Sequence, residues 1–149
     1  MFCCTRACRK VPGLFRKYIW RAITKNTQHD RVVITHGTET LLQTAAYLGR
    51  CFEHGVHRKI VVLTGAHKPE VFRNSDADFN VGFACGAALS LSEPGVYVAM
   101  NANVQPWHHV VRNELTGRFH RRSVDAYTAR GTLRKTLSTH LGDSLVRRY

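Results

Sequence analysis

Short apolar runs alternate with longer mixed segments through the middle of this chain. Three of the runs are continuous: Val32–Ile34, Ile60–Leu63 and Val96–Met100. A strand with one wet face alternates apolar and polar positions, whereas a continuous run rich in β-branched residues is typical of a strand buried on both faces of a parallel sheet. The pattern therefore predicts three buried strands that begin near residues 32, 60 and 96.

Helical periodicity fills the two segments between these runs. Leu41–Leu48 follows Thr40 in the manner of a capping box, and Gly49 is a plausible stop. Phe79–Leu91 forms the second predicted helix and ends before Pro94. The resulting order is strand, helix, strand, helix, strand, which predicts an α/β domain: a three-layer, doubly wound (Rossmann- or flavodoxin-like), mostly parallel sheet.

Polar residues follow each predicted strand, in Thr35–Thr40, Thr64–Pro69 and Asn101–Asn103. Binding sites of such sheets lie beyond the carboxyl ends of the strands. Thr38 stands at or beside a helix N-terminus, where free amides and the helix dipole favour an anion or a developing oxyanion. Taken alone, this spacing leaves two interpretations open: a reactive threonine, or a threonine that only caps the helix.

The basic charge lies at the two ends of the chain. The net charge is +12, yet 31–120 carries eight basic and seven acidic residues, so the middle is nearly neutral. We expect a basic N-terminal segment (1–30), an α/β domain (31–120) and a basic tail (121–149) with little packed structure. A nucleic-acid binder would carry its charge on the folded body, so this distribution argues against one. No apolar run approaches the length of a membrane span.

The N-terminal segment allows two interpretations. Leu14–Thr24 mixes basic, aromatic and aliphatic residues, which predicts a basic amphipathic surface helix or, since residues 1–29 contain no acid, a mitochondrial presequence. The chain has five cysteines and no Cys-x-x-Cys pair, so we expect reduced thiols and no zinc site. The expected location is the cytoplasm, with the mitochondrion as the alternative.

The polar blocks also carry a family resemblance, which covers about residues 31–120. Ile34–Ala45 resembles the I-T-H-G-T-D-T-x-x-E-T-A signature of bacterial-type L-asparaginases, and Val61–Pro69 resembles their V-V-L-T-G-A-M-x-P block. Phe72–Asn80 is similar to the R-x-S-D-A-x-F-N run of the short, single-domain members. Further similar blocks follow in order: Gly95–Asn101, Val110–Asn113 and Gly117–Phe119.

The resemblance implies an amidohydrolase that converts L-asparagine, sometimes glutamine, to the acid and ammonia through an acyl-enzyme, without metal or cofactor. The family uses two threonines, one of them in a relay with an aspartate and a lysine. Thr38 matches the relay threonine, and Glu39 matches the aspartate, which also holds the substrate's amino group. Arg112 falls at the relay lysine, Ala66 matches a backbone contact to the substrate amide, and Gly37 belongs to the substrate-binding turn.

Three departures from the family pattern concern the mechanism. The family's first threonine lies in a Gly-Gly-Thr turn, and this sequence contains no such turn; Gly131-Thr132, in the basic tail, is its one Gly-Thr pair besides Gly37-Thr38. Glu39 is one methylene longer than aspartate. Arg112 keeps its proton at any accessible pH, so it supplies charge without shuttling a proton as lysine does.

These departures leave two functions open. The first is an asparaginase-type amidohydrolase whose activity is reduced or lost. The alternative is a non-catalytic amino-acid-binding or regulatory protein that forms homo-oligomers or pairs with a full-length relative. Without the family's first strand, one edge of the sheet would be open. We expect Leu14–Ile23 or a partner chain to cover that edge, unless the chain is a truncated product.

Overall fold

The computed structural model describes residues 13–55 and 58–122, together with the backbone of residues 2–4. The predicted tail beyond Arg122 lies outside the described residues. No helix in the described part of the chain has the length and apolar character needed to cross a membrane. The elements in chain order are β1 (Phe2–Cys4), α1 (Gly13–Lys25), β2 (Arg31–Thr35), α2 (Leu41–Glu53), β3 (Ile60–Thr64), α3 (Ala77–Ser90), β4 (Gly95–Met100), β5 (Asn103–Pro106), a 3₁₀ turn (Trp107–His109), β6 (Val110–Arg112) and β7 (Phe119–Arg121).

The three predicted strands form the centre of a five-stranded sheet of order β1-β2-β3-β4-β5. β2, β3 and β4 are parallel, with Val33 opposite Val62 and Val62 opposite Tyr97. β5 returns antiparallel to β4 at one edge. The α/β fold with a mostly parallel sheet is therefore confirmed, and each central strand is buried as its continuous apolar run predicted.

The opposite edge of the sheet differs from the expectation. β1 pairs in parallel with β2, with Phe2 opposite Val33 and Cys4 opposite Thr35. The expectation that Leu14–Ile23 or a partner chain covers this edge of β2 is therefore wrong. Three residues are too short to carry a recognisable strand pattern, which is why the sequence did not reveal β1.

α1 packs on a face of the sheet instead. Ile19 and Ile23 are buried in the same apolar cluster as Val32, Leu48 and residues of β3 and β4. The amphipathic helix predicted for Leu14–Thr24 is confirmed with one more residue at each end. The domain limits at residues 30 and 120 stay a prediction.

The helices divide between the two faces of the sheet. Val61 and Val98 face α1 and α2, whereas Val33 and Val62 face α3. The crossovers β2-α2-β3 and β3-α3-β4 run in the same direction along the sheet but over opposite faces, so they have opposite hands. Because nearly all such crossovers are right-handed, one of the two is the rare left-handed kind. The loops that follow β2 and β3 consequently leave the sheet toward opposite faces.

Two predictions about α2 are wrong. The helix continues through Gly49 to Glu53, because Gly49 is a contact point rather than a stop. A Cβ placed on Gly49 would lie 2.1 Å from Nε1 of Trp107, so the indole occupies the space that a side chain would need. Thr40 is the N-cap residue but makes no capping hydrogen bond through its side chain, so the capping box is absent.

The Gly49–Trp107 contact makes a testable prediction about two helical glycines. Alanine at an exposed helix position raises the free energy of unfolding by about 1 kcal/mol relative to glycine. Gly86→Ala should show this gain, since no atom lies within 4 Å of the added Cβ. Gly49→Ala should instead lower the free energy of unfolding by about 1–3 kcal/mol through overpacking. Urea unfolding of both variants tests the contact, and equal gains would contradict it.

Candidate functional site

The loops after β2 and β3 meet at the carboxyl edge of the sheet. The amide of His36 donates to the carbonyl of Thr64 at 2.8 Å, which extends the pairing of the two strands by one bond. A Cβ placed on Gly65 would lie 2.3 Å from the carbonyl oxygen of His36 and 3.5 Å from Cγ2 of Thr38. Glycine at position 65 therefore lets the second loop lie directly against the loop that carries Thr38.

His36 fixes the turn before α2 from the inside. Its Nδ1 lies 2.9 Å from the carbonyl oxygen of Gly37, and its Nε2 lies 3.0 Å from the hydroxyl of Thr44. A neutral ring that donates from Nδ1 and accepts at Nε2 satisfies both contacts. Burial lowers the pKa of His36; the hydrogen bond to Gly37 opposes this shift, and the nearby Arg16 guanidinium adds to it. The ring is therefore neutral at pH 7 and acts as a positioning group for the turn.

The three residues expected to be catalytic line one cleft of about 550 Å³. Thr38 and Glu39 come from the turn that precedes α2, and Arg112 comes from the end of β6, more than seventy residues later in the chain. Thr38 is half-buried and Glu39 is exposed. The other lining residues are Leu42, Gln43, Ala46, Trp107, His108, Val110, Val111, Glu114 and Arg122.

The guanidinium of Arg112 is held in place but incompletely hydrogen-bonded. A Cβ placed on Gly117 would lie 3.2 Å from Nη2 of Arg112 and 3.9 Å from Nδ1 of His67, so both side chains crowd the same glycine. Gly117 has φ +70°, a conformation that glycine tolerates best. Nε of Arg112 is buried and has no hydrogen-bond partner among the described residues. An unpaired buried donor costs about 1–3 kcal/mol, which an acceptor on a bound ligand would recover.

The other expected contact residues lie beside this cleft. Ala66 directly follows Gly65 and is half-buried, but it does not line the cleft with Thr38. Gly37 contributes its carbonyl to His36 rather than a surface to the cleft. Asn101 lines a second, polar cleft of about 410 Å³ together with His67 and residues of the following loop.

The loop after β3 is held by Asp76 at the start of α3. Its carboxylate accepts hydrogen bonds from the backbone amides of His67 at 3.1 Å and Lys68 at 3.0 Å, and from the side-chain amide of Asn80 at 2.8 Å. Burial alone would raise the pKa of Asp76, but the backbone hydrogen bonds outweigh it and hold the pKa below its usual value. The carboxylate is therefore a structural acceptor that fixes the Gly65–Lys68 segment against Thr38.

Sequence reasoning missed several residues of the cleft, notably Gln43, Trp107, His108 and Arg122. Gln43 was seen only as part of a cap; in the structure its side-chain oxygen accepts from Nη2 of Arg16 at 2.7 Å. The helical spacing of Leu42, Ala46 and Gly49 could have indicated a contact face. Among residues 13–55 and 58–122, no group of three or more histidine, cysteine, aspartate or glutamate side chains is arranged to hold a metal ion.

Comparison with known proteins agrees with this arrangement. The family model described as asparaginase, N-terminal, matches residues 16–139, which is more than half of the chain. The chain belongs to the asparaginase N-terminal family. Its α/β fold and the positions of Thr38, Glu39 and Arg112 therefore stand in a family context.

Three curated relatives extend this comparison. L-asparaginase 2 of Escherichia coli (strain K12) is 31% identical over 105 residues, which are 66% of this chain and 29% of that protein. The probable periplasmic L-asparaginase of Haemophilus influenzae is 35% identical over 89 residues, or 58% of this chain and 25% of that protein. A glutamyl-tRNA(Gln) amidotransferase polypeptide of Methanococcus vannielii is 37% identical over 77 residues, or 50% of this chain and 17% of that protein. The chain thus spans less than a third of the length of each.

The buried His36 ring predicts a pH-dependent stability of this member of the asparaginase family. Because the folded pKa lies below the unfolded value of about 6.5, the unfolded state binds the proton more tightly. The contribution of His36 to the free energy of unfolding is complete above about pH 6.5 and is lost as the pH falls toward the folded pKa. His108, whose pKa burial also lowers, adds a change of the same sign.

The His36 contribution is isolated by substitution. His36→Gln should flatten the decline of the free energy of unfolding between pH 7 and pH 5, measured by urea titration at each pH. His120→Gln, at an exposed position, is the matched control and should keep the decline of the unmodified chain. The same slope for His36→Gln and the unmodified chain would show that His36 does not carry the effect.

Proposed function

We propose that this chain is an asparaginase-type amidohydrolase domain that binds L-asparagine in the cleft of Thr38, Glu39 and Arg112. One observation carries the proposal: three side chains that match the family's relay positions come from two distant segments and line a single cleft. Family membership supports the reaction type. The cleft also offers both charges that a free amino acid requires, a carboxylate on Glu39 and a guanidinium on Arg112.

The proposed chemistry assigns one role to each side chain. The hydroxyl oxygen of Thr38 attacks the carbonyl carbon of the substrate's side-chain amide, and its proton passes to the carboxylate of Glu39. The positive charge of Arg112 stabilises the oxyanion without exchanging a proton. The C–N bond then breaks, and ammonia leaves with the proton from Glu39. Water hydrolyses the acyl ester, which releases L-aspartate and restores the Thr38 hydroxyl.

The turnover of this chain alone should be slow. The sequence contains no Gly-Gly-Thr turn, so a threonine that the family uses as a nucleophile has no counterpart. Glu39 places its carboxylate about one methylene farther out than aspartate does, and a misplacement of about 1 Å can cost roughly a hundredfold in rate. We therefore infer a rate at least roughly a hundredfold below that of a complete family member.

A second candidate function is amino-acid binding without turnover. The fixed charge of Arg112 favours it, because a guanidinium holds an anionic ligand well but cannot relay a proton. The buried, unpaired Nε of Arg112 is the specific observation behind this candidate. Both functions use the same cleft, and catalysis separates them.

Pairing with a second copy or with a full-length relative stays a prediction. α3 is compatible with it, because the outer face of this helix is apolar yet exposed. Phe79 is 59% exposed and Leu89 is 74% exposed, while Gly82 and Gly86 between them present no side chain.

Ammonia release from L-asparagine and L-glutamine tests the proposed function. The purified chain should release ammonia from L-asparagine at least roughly a hundredfold more slowly than L-asparaginase 2 of Escherichia coli measured beside it. Thr38→Ala should abolish the release, whereas Thr27→Ala, at an exposed position between α1 and β2, should leave it unchanged. The double change Glu39→Asp, Arg112→Lys restores the family's relay residues and should raise the rate.

Three other results would change the assignment. Turnover that survives Thr38→Ala would contradict Thr38 as the nucleophile. A rate equal to that of the Escherichia coli enzyme would contradict the role of the missing turn. Binding of L-aspartate without any ammonia release, even in the double variant, would select the second candidate.

A further inference from the structure

The cleft beside Thr38 continues as a groove along α2. One wall is the outer face of the helix, with Leu42 and Ala46 in successive turns, and the other is the segment from Trp107 to Arg112. Trp107 closes the far end, since its indole packs on Gly49 in the third turn of α2. Eight residues of helix separate Leu41 from Gly49, so the groove is about 12 Å long at 1.5 Å per residue.

The two ends of the groove carry different groups. Thr38 and Glu39 lie at the N-terminal end of α2, next to the contact between the loops after β2 and β3. His108 and Arg122 lie at the other end. The amide of Arg122 donates to the carbonyl of His109 at 2.7 Å, and the pKa of His108 responds to Glu53 in the last turn of α2 as well as to Arg122 and His109.

The middle of the groove is apolar. Leu42 and Ala46 line it from the helix, and Val110 and Val111 line it from β6. The sequence of groups along the groove is therefore a carboxylate and a hydroxyl, an apolar stretch, and then a guanidinium beside an aromatic ring.

A free amino acid fills only one end of this groove. One residue of extended chain spans about 3.5 Å, so free asparagine held at Thr38 and Glu39 would not reach Arg122. If the carboxylate of Glu39 binds the substrate's amino group, that group must be free. A longer substrate can then continue only through its α-carboxyl carbon, which directs its chain along the groove.

We propose that the groove binds the N-terminal asparagine of a short peptide whose free carboxylate lies at Arg122. The proposal rests on the function proposed above and specifies its substrate class. Three extended residues span about 10 Å, which matches the distance from the Thr38 end to the Trp107 end. The second and third residues lie over the apolar stretch, and the terminal carboxylate pairs with the guanidinium of Arg122. The reaction releases ammonia from the asparagine side chain and leaves the peptide bonds intact.

Calorimetry with three product-like probes tests this proposal on the full chain: L-aspartate, the tripeptide Asp-Ala-Ala, and Asp-Ala-Ala with an amidated C-terminus. Asp-Ala-Ala should bind several-fold more tightly than either of the other two. Arg122→Gln should weaken the binding of Asp-Ala-Ala about fivefold, since an exposed ion pair contributes up to about 1 kcal/mol, and should leave L-aspartate unaffected. The neighbouring Arg121→Gln is the matched control, because Arg121 is exposed but does not line the groove.

The outcomes separate this proposal from the function on which it rests. If L-aspartate binds but the peptide gains nothing, or if Arg122→Gln and Arg121→Gln have equal effects, the peptide proposal is overturned and the proposed function stands. If none of the probes binds, the amino-acid site itself is absent and both proposals fail. Both arginines are exposed, so circular dichroism spectra that match the unmodified chain confirm that a change in affinity is local.

Discussion

The close approach of the loops after β2 and β3 determines the geometry of the candidate site. The carbonyl oxygen of His36 lies where a side chain of residue 65 would begin, 2.3 Å from the position of a Cβ on Gly65. A larger residue there would separate the two loops, because backbone atoms cannot yield as a flexible side chain can. The turn that carries Thr38, the hydrogen bonds of His36 and the mouth of the cleft all depend on this contact.

The opposite hands of the two crossovers explain why a cleft forms at this point. After their contact at Gly65, one loop continues into α2 on one face of the sheet, and the other continues into α3 on the opposite face. Such a divergence leaves a crevice at the carboxyl edge, which is where open α/β sheets bind ligands. The β6–β7 hairpin completes the wall of the crevice and contributes the buried, unpaired Nε of Arg112.

The sequence predicted the central strands well because their signal is local. Each run of β2, β3 and β4 is buried on both faces, so its apolar residues are continuous and need no knowledge of the rest of the fold. The polar residues after these strands could also be expected to converge, and Thr38 and Glu39 share a cleft as that reasoning required. Arg112 was assigned through the family resemblance, and the structure brings it to the same cleft.

The errors have a common physical origin in contacts between distant segments. Gly49 has the local properties of a helix stop, but Trp107, 58 residues later, needs a position without a side chain in the helix. The groove beyond Thr38 was missed for the same reason, since Trp107 and Arg122 meet α2 only after the hairpin of β6 and β7 has formed. No pattern within a single element reports such a contact.

The central claim is that the Thr38, Glu39 and Arg112 cleft is built to hold an anionic group of an amino acid. The Nε–H resonance of Arg112 in a ¹⁵N-labelled chain tests it most directly, because this donor is buried and lacks a partner. Addition of L-aspartate should shift this resonance and slow its exchange with water, while the exposed Arg121 stays unchanged. A resonance of Arg112 that does not respond at saturating L-aspartate would contradict the account.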